Sequence, residues 1–222
     1  MKNIFSTKKK ILLKEPAGIF LSEVLINKFD FKIIVTMRHP AAIANSRKKL
    51  GWRMNYEWLT CQNDFYKDYF KRYEKNLNNF DKNIVTESGF HWLLFYSYII
   101  ELKNEYPNDI LIIRHEDLSL EPIKYFKKAY DFIDLDFRDN IKQKIIEITS
   151  GNNIEMKTND VGKLEKRNSE KLVFKWKNKL IQSEVDLLKN ITRDYSLEFY
   201  TDDKFWNLET NNKKKEVKYF EK

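Results

Sequence analysis

Residues 31–52, FKIIVTMRHPAAIANSRKKLGW, carry the pattern from which the fold can be predicted. The apolar run from Lys32 to Met37 is too short for an independent helix and does not alternate, which is typical of a parallel strand buried on both faces. A basic residue, Arg38, ends the run, and Pro40 suits the first turn of a helix. The small residues that follow predict that helix, in which Ser46 lies eight positions beyond Arg38.

Two further apolar runs, Ile11 to Leu13 and Ile110 to Ile113, have the same character, and helical periodicity separates the three runs. This alternation, followed by more helices, predicts an α/β fold with a short parallel sheet flanked by helices. One basic residue follows each run, namely Lys14, Arg38 and Arg114. The carboxyl ends of parallel strands meet at one edge of a sheet, where ligands bind. The sequence therefore predicts a cationic edge, with helix N-termini that also favour an anion.

The residues around Arg38 suit a phosphate group. A guanidinium can direct two N–H groups at a phosphate, and the Ser46 hydroxyl two helical turns later can bind the same anion. Plainer alternatives exist for each residue. Lys14 and Arg38 can be ordinary surface cations, Arg114 can pair with an acidic residue a few positions later, and Ser46 can be an ordinary helix-surface serine.

The bulk composition narrows the class of protein. The 222 residues predict one domain over 1–207, followed by a charged tail over 208–222. A single cysteine, Cys61, excludes an internal disulfide and a cysteine-based zinc cluster. No apolar run is long enough to span a bilayer, and the first ten residues make a poor signal peptide, so we expect a cytoplasmic protein. The net charge of +8 favours anionic partners, or reflects a Lys-, Asn- and Ile-rich composition.

Three segments, in the same order, resemble the sulfotransferases that use 3′-phosphoadenosine-5′-phosphosulfate (PAPS). Residues 10–40 are similar to the family's K-x-P stretch and the strand that precedes its 3′-phosphate site. Residues 110–137, ILIIRHEDLSLEPIKYFKKAYDFIDLDF, resemble its strand–RYEDL–Pro–helix segment. Residues 165–206, with the pair Trp176-Lys177, resemble its carboxyl-terminal section. The resemblance covers roughly residues 9–207 and implies the P-loop NTPase-like sulfotransferase architecture.

The resemblance also implies roles for individual residues. Arg38 and Ser46 match the ligands of the 3′-phosphate of PAPS, and His115 replaces a tyrosine that often contacts the adenine. Lys166 and Arg167 fall near the basic loop that closes over that phosphate. The pair Trp176-Lys177 is expected to be chiefly structural.

The chemistry of transfer is assigned to two other residues. Lys14 aligns with a lysine that some carbohydrate sulfotransferases place near the transferred sulfuryl group, where a cation stabilises the departing oxygen. His91 is the candidate catalytic base, on a long predicted helix that also carries Glu87. The alternative for His91 is a half-buried helix histidine without a role in catalysis.

One family feature is missing from this sequence. Members begin with a strand and a Gly- and Ser/Thr-rich loop that binds the 5′-phosphosulfate through backbone N–H groups. Here the first glycine, Gly18, already lies in a predicted helix, so we expect a chain shortened at its amino end and without this loop. We expect such a chain either to be an inactive or incomplete fragment, or to need a partner chain that supplies the strand and loop.

These features predict transfer of a sulfuryl group from PAPS to a hydroxyl of a carbohydrate or another small acceptor, without a metal. The alternative is a non-catalytic module, derived from a sulfotransferase, that binds a nucleotide phosphate or a partner protein. We expect no nucleic-acid partner, because the basic residues are interspersed with acidic ones and no stacking platform is evident.

Overall fold

The computed structural model describes residues 11–15, 18–54, 66–73, 83–151 and 168–208. Strand β1 (Ile33–Met37) pairs in parallel with strand β2 (Ile110–Arg114). The register runs from Ile33 opposite Ile110 to Met37 opposite Arg114. These strands lie where the second and third apolar runs predict them, and the helices around them confirm an α/β fold with a short parallel sheet.

The first predicted strand is wrong. Residues Ile11, Leu12 and Leu13 have no regular secondary structure, and their side chains are 81%, 89% and 55% exposed. A strand needs a neighbour for its backbone groups and a covered face for its side chains. A run of three residues forms few ladder hydrogen bonds, so its apolar character alone does not hold it in a sheet.

Seven α-helices are formed by the described residues, most of them where the apolar periodicity predicts them. Their bounds are α1 (Ser22–Phe29), α2 (Pro40–Leu50), α3 (Ile84–Glu105), α4 (His115–Leu120), α5 (Pro122–Phe132), α6 (Asp139–Thr149) and α7 (Gln182–Phe199). Tighter turns extend or link them at Gly18–Leu21, Lys71–Tyr73, Glu170–Leu172, Lys175–Asn178 and Asp203–Phe205.

Two predicted segments lie largely outside the described residues, and one short helix was not predicted. The helix expected over residues 56–80 lies largely outside the described residues. Its described part, residues 66–73, begins with a wide helical turn at Tyr66–Phe70. The short helix α4 was not expected, because its sequence HEDLSL is too short to show a period. The polar loop expected over 150–169 also lies mostly outside the described residues.

Helix α3 is the central element of the fold. Its Trp92 and Ile100 pack in one core with small residues of α2 and with Val185 and Leu188 of α7. Further along, its apolar side chains pack against the start of β2. Helix α7 approaches so closely that a Cβ added at Gly89 would lie 3.0 Å from Ile191 Cδ1. Side chains on both faces of α3 therefore pack against other elements, which explains its nearly continuous apolar sequence.

In the part of the chain that the structure describes, we find no helix with the length and apolar character needed to cross a membrane.

Candidate functional site

The backbone around Arg38 is held from two sides where β1 ends. The Trp92 Nε1–H group of α3 donates a hydrogen bond of 2.8 Å to the carbonyl oxygen of Arg38. The next peptide N–H, that of His39, donates to Glu116 Oε1 at 3.0 Å. Because both bonds are inside the protein, the chain direction at Arg38 is determined by α3 and α4.

Glu116 is the buried centre of this arrangement. The residue is 1% exposed, and its second carboxyl oxygen accepts a hydrogen bond of 3.0 Å from the Tyr200 hydroxyl. Burial raises the pKa of Glu116, while the hydrogen bonds from His39 and Tyr200 act in the opposite direction. Glu116 therefore joins the ends of both strands to the residue that follows α7.

Arg38 and His115 are brought together by the strand register. Since Met37 lies opposite Arg114, the residues that follow them, Arg38 and His115, leave the sheet side by side. Burial, and then the positive charge of Arg38, lower the pKa of His115 to about 4. Among the described residues, no carboxylate forms an ion pair with Arg38 within 4.0 Å, although the positive charge of Arg38 acts at longer range to lower the pKa of the buried Glu116. The half-buried guanidinium thus lies beside an uncharged imidazole.

Helix α2 starts at the same edge of the sheet and carries Ser46. The side chain of His39 caps this helix, since its Nδ1 accepts the Ala41 N–H group at 3.2 Å. Ser46 is half-buried, six residues after Pro40 at the start of the helix. The convergence of Arg38 and Ser46 on one anion stays a prediction.

The prediction of three cations at strand ends is corrected at Arg114. Its guanidinium forms two hydrogen bonds with Asp117, of 2.8 and 2.6 Å, and a third of 2.6 Å with the Phe199 carbonyl oxygen. It also lies 5.1 Å from the centre of the Phe205 ring. The ion-pair alternative is therefore right, and Arg114 anchors the end of α7.

The structure describes Lys14 and the pair Trp176-Lys177, but not the predicted basic loop. Lys14 is exposed in the irregular segment 11–15, so it does not follow a strand, and its catalytic role stays a prediction. Lys166 and Arg167 lie outside the described residues. Trp176 and Lys177 are buried, and the Lys177 ammonium donates to the carbonyl oxygens of Lys204 and Asn207, the latter at 2.8 Å.

His91 lies on α3, on the side that contacts α2. Its ring stacks on Phe95 with centroids 4.2 Å apart, and its Nδ1 lies 3.5 Å from Arg47 Nη1. Burial, and then the charge of Arg47, lower the pKa of His91 to about 4. Glu87, one turn earlier, accepts hydrogen bonds from Arg53 and from the Met54 N–H group. Glu87 therefore holds the chain after α2, whereas His91 is neutral at pH 7.

His39 is the residue whose importance the sequence analysis missed. Its ring is fully buried, parallel to Trp176 at 5.0 Å and edge-on to Tyr200 at 4.7 Å. Burial, and then the charge of Lys177, lower its pKa well below 6.5. The one available signal was Pro40, which marks the preceding residue as a helix cap. The contact of Trp92 with Arg38 had no sequence signal, because it joins residues far apart in the chain.

All three histidines of the sequence have lowered pKa values, which predicts loss of stability in acid. Between about pH 4 and 6.5 the unfolded chain binds more protons than the native one, so the free energy of unfolding falls as the pH falls. The raised pKa of Glu116 has the opposite effect on the free energy of unfolding, but three histidines outweigh this one carboxyl group. Thermal melts at pH 7 and pH 5 should show a lower Tm at pH 5. His115→Asn should reduce this difference, and equal Tm values would contradict the prediction.

The described residues contain no group of three or more His, Cys, Asp or Glu side chains that could hold a metal ion. The fold and site instead define an α/β protein with a guanidinium at the carboxyl edge of its parallel sheet. A family model described as "Sulfotransferase domain" matches residues 18–204. The chain therefore belongs to the sulfotransferase family. A search of curated proteins finds no match.

Proposed function

We propose that this protein binds PAPS and transfers its sulfuryl group to a hydroxyl of a carbohydrate or another small acceptor. The observation that carries the proposal is the Arg38–His115 pair at the strand ends, with a guanidinium free of carboxylate ion pairs among the described residues. Arg38 binds the 3′-phosphate and His115 lies against the adenine. Ser46 adds its hydroxyl from α2, and Lys166 and Arg167 complete the phosphate site.

Family membership supports a nucleotide donor of this kind, and the site has the matching chemistry. A guanidinium recognises a phosphate through two parallel N–H groups, which a lysine cannot do. Because the Arg38 backbone is held on both sides by Trp92 and Glu116, binding the anion orders the side chain of Arg38 but not its backbone. A neutral His115 presents a flat ring beside that anion without adding a second charge.

In the proposed reaction the acceptor oxygen forms a bond to sulfur while the bond from sulfur to the phosphate oxygen breaks. His91 takes the acceptor proton, and Lys14 stabilises the negative charge on the departing oxygen. A pKa of about 4 leaves the His91 imidazole unprotonated at pH 7, so it can accept a proton, but as a weaker base than a free histidine. The products are a sulfate ester and adenosine 3′,5′-bisphosphate.

The first test is nucleotide binding by the wild-type protein. Adenosine 3′,5′-bisphosphate should raise the Tm, and above its Kd the rise should grow with the logarithm of its concentration, because only the folded state binds it. Adenosine 5′-monophosphate, which lacks the 3′-phosphate, should cause a much smaller rise at equal concentration. Equal effects of the two nucleotides, or no effect of either, would show that no 3′-phosphate site exists.

A second experiment separates catalysis from binding alone. Purified protein with radiolabelled PAPS is assayed on a panel of sugars and small alcohols. Labelled ester supports the enzyme. Bisphosphate binding without any labelled ester favours the non-catalytic module.

The two-stranded sheet has an edge at which a further strand can pair. Within the described residues β1 pairs only with β2. Such an edge can accept another strand, as a partner chain supplying a strand and phosphosulfate loop would require. Sedimentation of the purified chain with candidate partners, with and without bisphosphate, tests this association.

A further inference from the structure

A cavity of about 510 Å³ lies between α3, α7 and the turn Lys71–Tyr73. Phe90 and Leu93 contribute its buried part. The half-buried rings of Tyr73 and Tyr195 line it further out. Its volume is that of a small-molecule site, which makes it large enough for one or two sugar rings.

The cavity is distinct from the nucleotide site. Trp92 contacts the backbone of Arg38, whereas the next residue, Leu93, lines the cavity. Successive side chains on a helix point about 100° apart, so Phe90, which lines the cavity two positions before Trp92, points from nearly the opposite face of α3. The residues proposed to bind PAPS therefore do not explain the cavity.

Two sides of the cavity are held in place without a ligand. Glu101 of α3 accepts hydrogen bonds from the Tyr195 hydroxyl and, at 2.8 Å, from Arg72 Nη2. The Arg72 guanidinium lies 5.1 Å from the centre of the Tyr73 ring. A ligand entering this cavity meets aromatic rings that are already positioned, which lowers the entropic cost of binding.

The lining suits an uncharged ligand with many hydroxyl groups. Arg72 is paired with Glu101, so it does not present an unbalanced positive charge to a phosphate. The exposed Asn190 and Asp194 add an amide and a carboxylate from successive turns of α7. Tyrosine rings pack against the C–H faces of sugars, and the polar groups can bond to their hydroxyls.

We propose that this cavity binds a neutral sugar unit of a carbohydrate, remote from the group that is sulfated. The inference rests on the proposed function in taking this carbohydrate to be the sulfuryl acceptor. The residues of α3 and α7 that line the cavity have no part in binding the donor. If they bind a sugar, the acceptor is a carbohydrate.

Isothermal titration of the full-length protein with maltose, lactose and N,N′-diacetylchitobiose, without nucleotide, tests the site. At least one sugar should bind. Asp194→Ala should weaken that binding roughly tenfold, because a hydrogen bond to a charged acceptor is lost. Asn190→Ala should weaken it roughly fivefold. Glu198→Ala, an exposed carboxylate one turn further along α7 and outside the cavity, is the matched control and should bind like the wild type.

The outcomes separate the two proposals. Absence of binding by all three sugars, or equal effects of Asp194→Ala and Glu198→Ala, would overturn the sugar site while bisphosphate binding still stands. Sugar binding without any bisphosphate binding would overturn the proposed donor and retain the cavity as a carbohydrate site.

Discussion

Arg38→Ala is expected to weaken the binding of adenosine 3′,5′-bisphosphate by roughly 100-fold, because it removes the guanidinium proposed to bind the 3′-phosphate. Arg38→Lys should recover only part of the affinity, since an ammonium group cannot form two parallel hydrogen bonds. The measurement is isothermal titration with the bisphosphate. The Tm of the variant without ligand should change little, because Arg38 has no ion pair within the described residues and its charge favours ionised Glu116 while it disfavours protonated His115.

Arg138→Ala is the matched control for this experiment. Arg138 is a largely exposed arginine, 3.2 Å from Asp136 and distant from the strand ends in the chain. Its removal lowers the net charge by the same amount as Arg38→Ala. If both variants lose affinity equally, the binding is an effect of general charge and the 3′-phosphate site at Arg38 is refuted.

Glu116→Ala is expected to lower the free energy of unfolding by about 3 kcal/mol, because it leaves the His39 N–H group and the Tyr200 hydroxyl buried without their acceptor. For a chain of this size, the Tm should fall by roughly 10 °C. Glu116→Gln retains a carbonyl oxygen and should lose about half as much. Chemical denaturation followed by circular dichroism measures these differences.

Glu121→Ala provides the comparison. Its carboxylate pairs with Lys124 at 2.7 Å on the surface, where solvent screens the pair and its contribution to stability is small. The unfolding free energy of Glu121→Ala should thus stay close to that of the wild type. A Glu116→Ala protein as stable as Glu121→Ala would mean that the buried carboxyl group does not hold the strand ends together.

The two predictions are linked through the peptide between Arg38 and His39. Glu116 accepts the His39 N–H group and thereby orients the residue before it. Glu116→Gln, if folded, should therefore bind bisphosphate more weakly than the wild type, but less weakly than Arg38→Ala. Structure and binding are coupled at this strand end because one buried carboxyl group serves both.

Much of the architecture could be predicted from local patterns. The run before Arg38 formed a strand, Pro40 began α2, and the apolar period over residues 87–105 marked most of α3. These predictions succeeded because strand and helix periods, together with proline, act over a few residues. The run Ile11–Leu13 has similar local character but no strand partner in the part of the chain that the structure describes, so the same reasoning failed there.

The amino-acid sequence by itself determined the two strands, the main helices and the placement of Arg38 and His115 directly after those strands. Only the tertiary structure decided which cations remain available to bind an anion. Asp117 and the Phe199 carbonyl oxygen bind Arg114. Trp92 and Glu116 instead hold the backbone around Arg38, and its guanidinium has no ion pair among the described residues. The reason is physical. Periodicity reports which local structure a segment can adopt, but pairing and burial depend on atoms that come from distant parts of the chain.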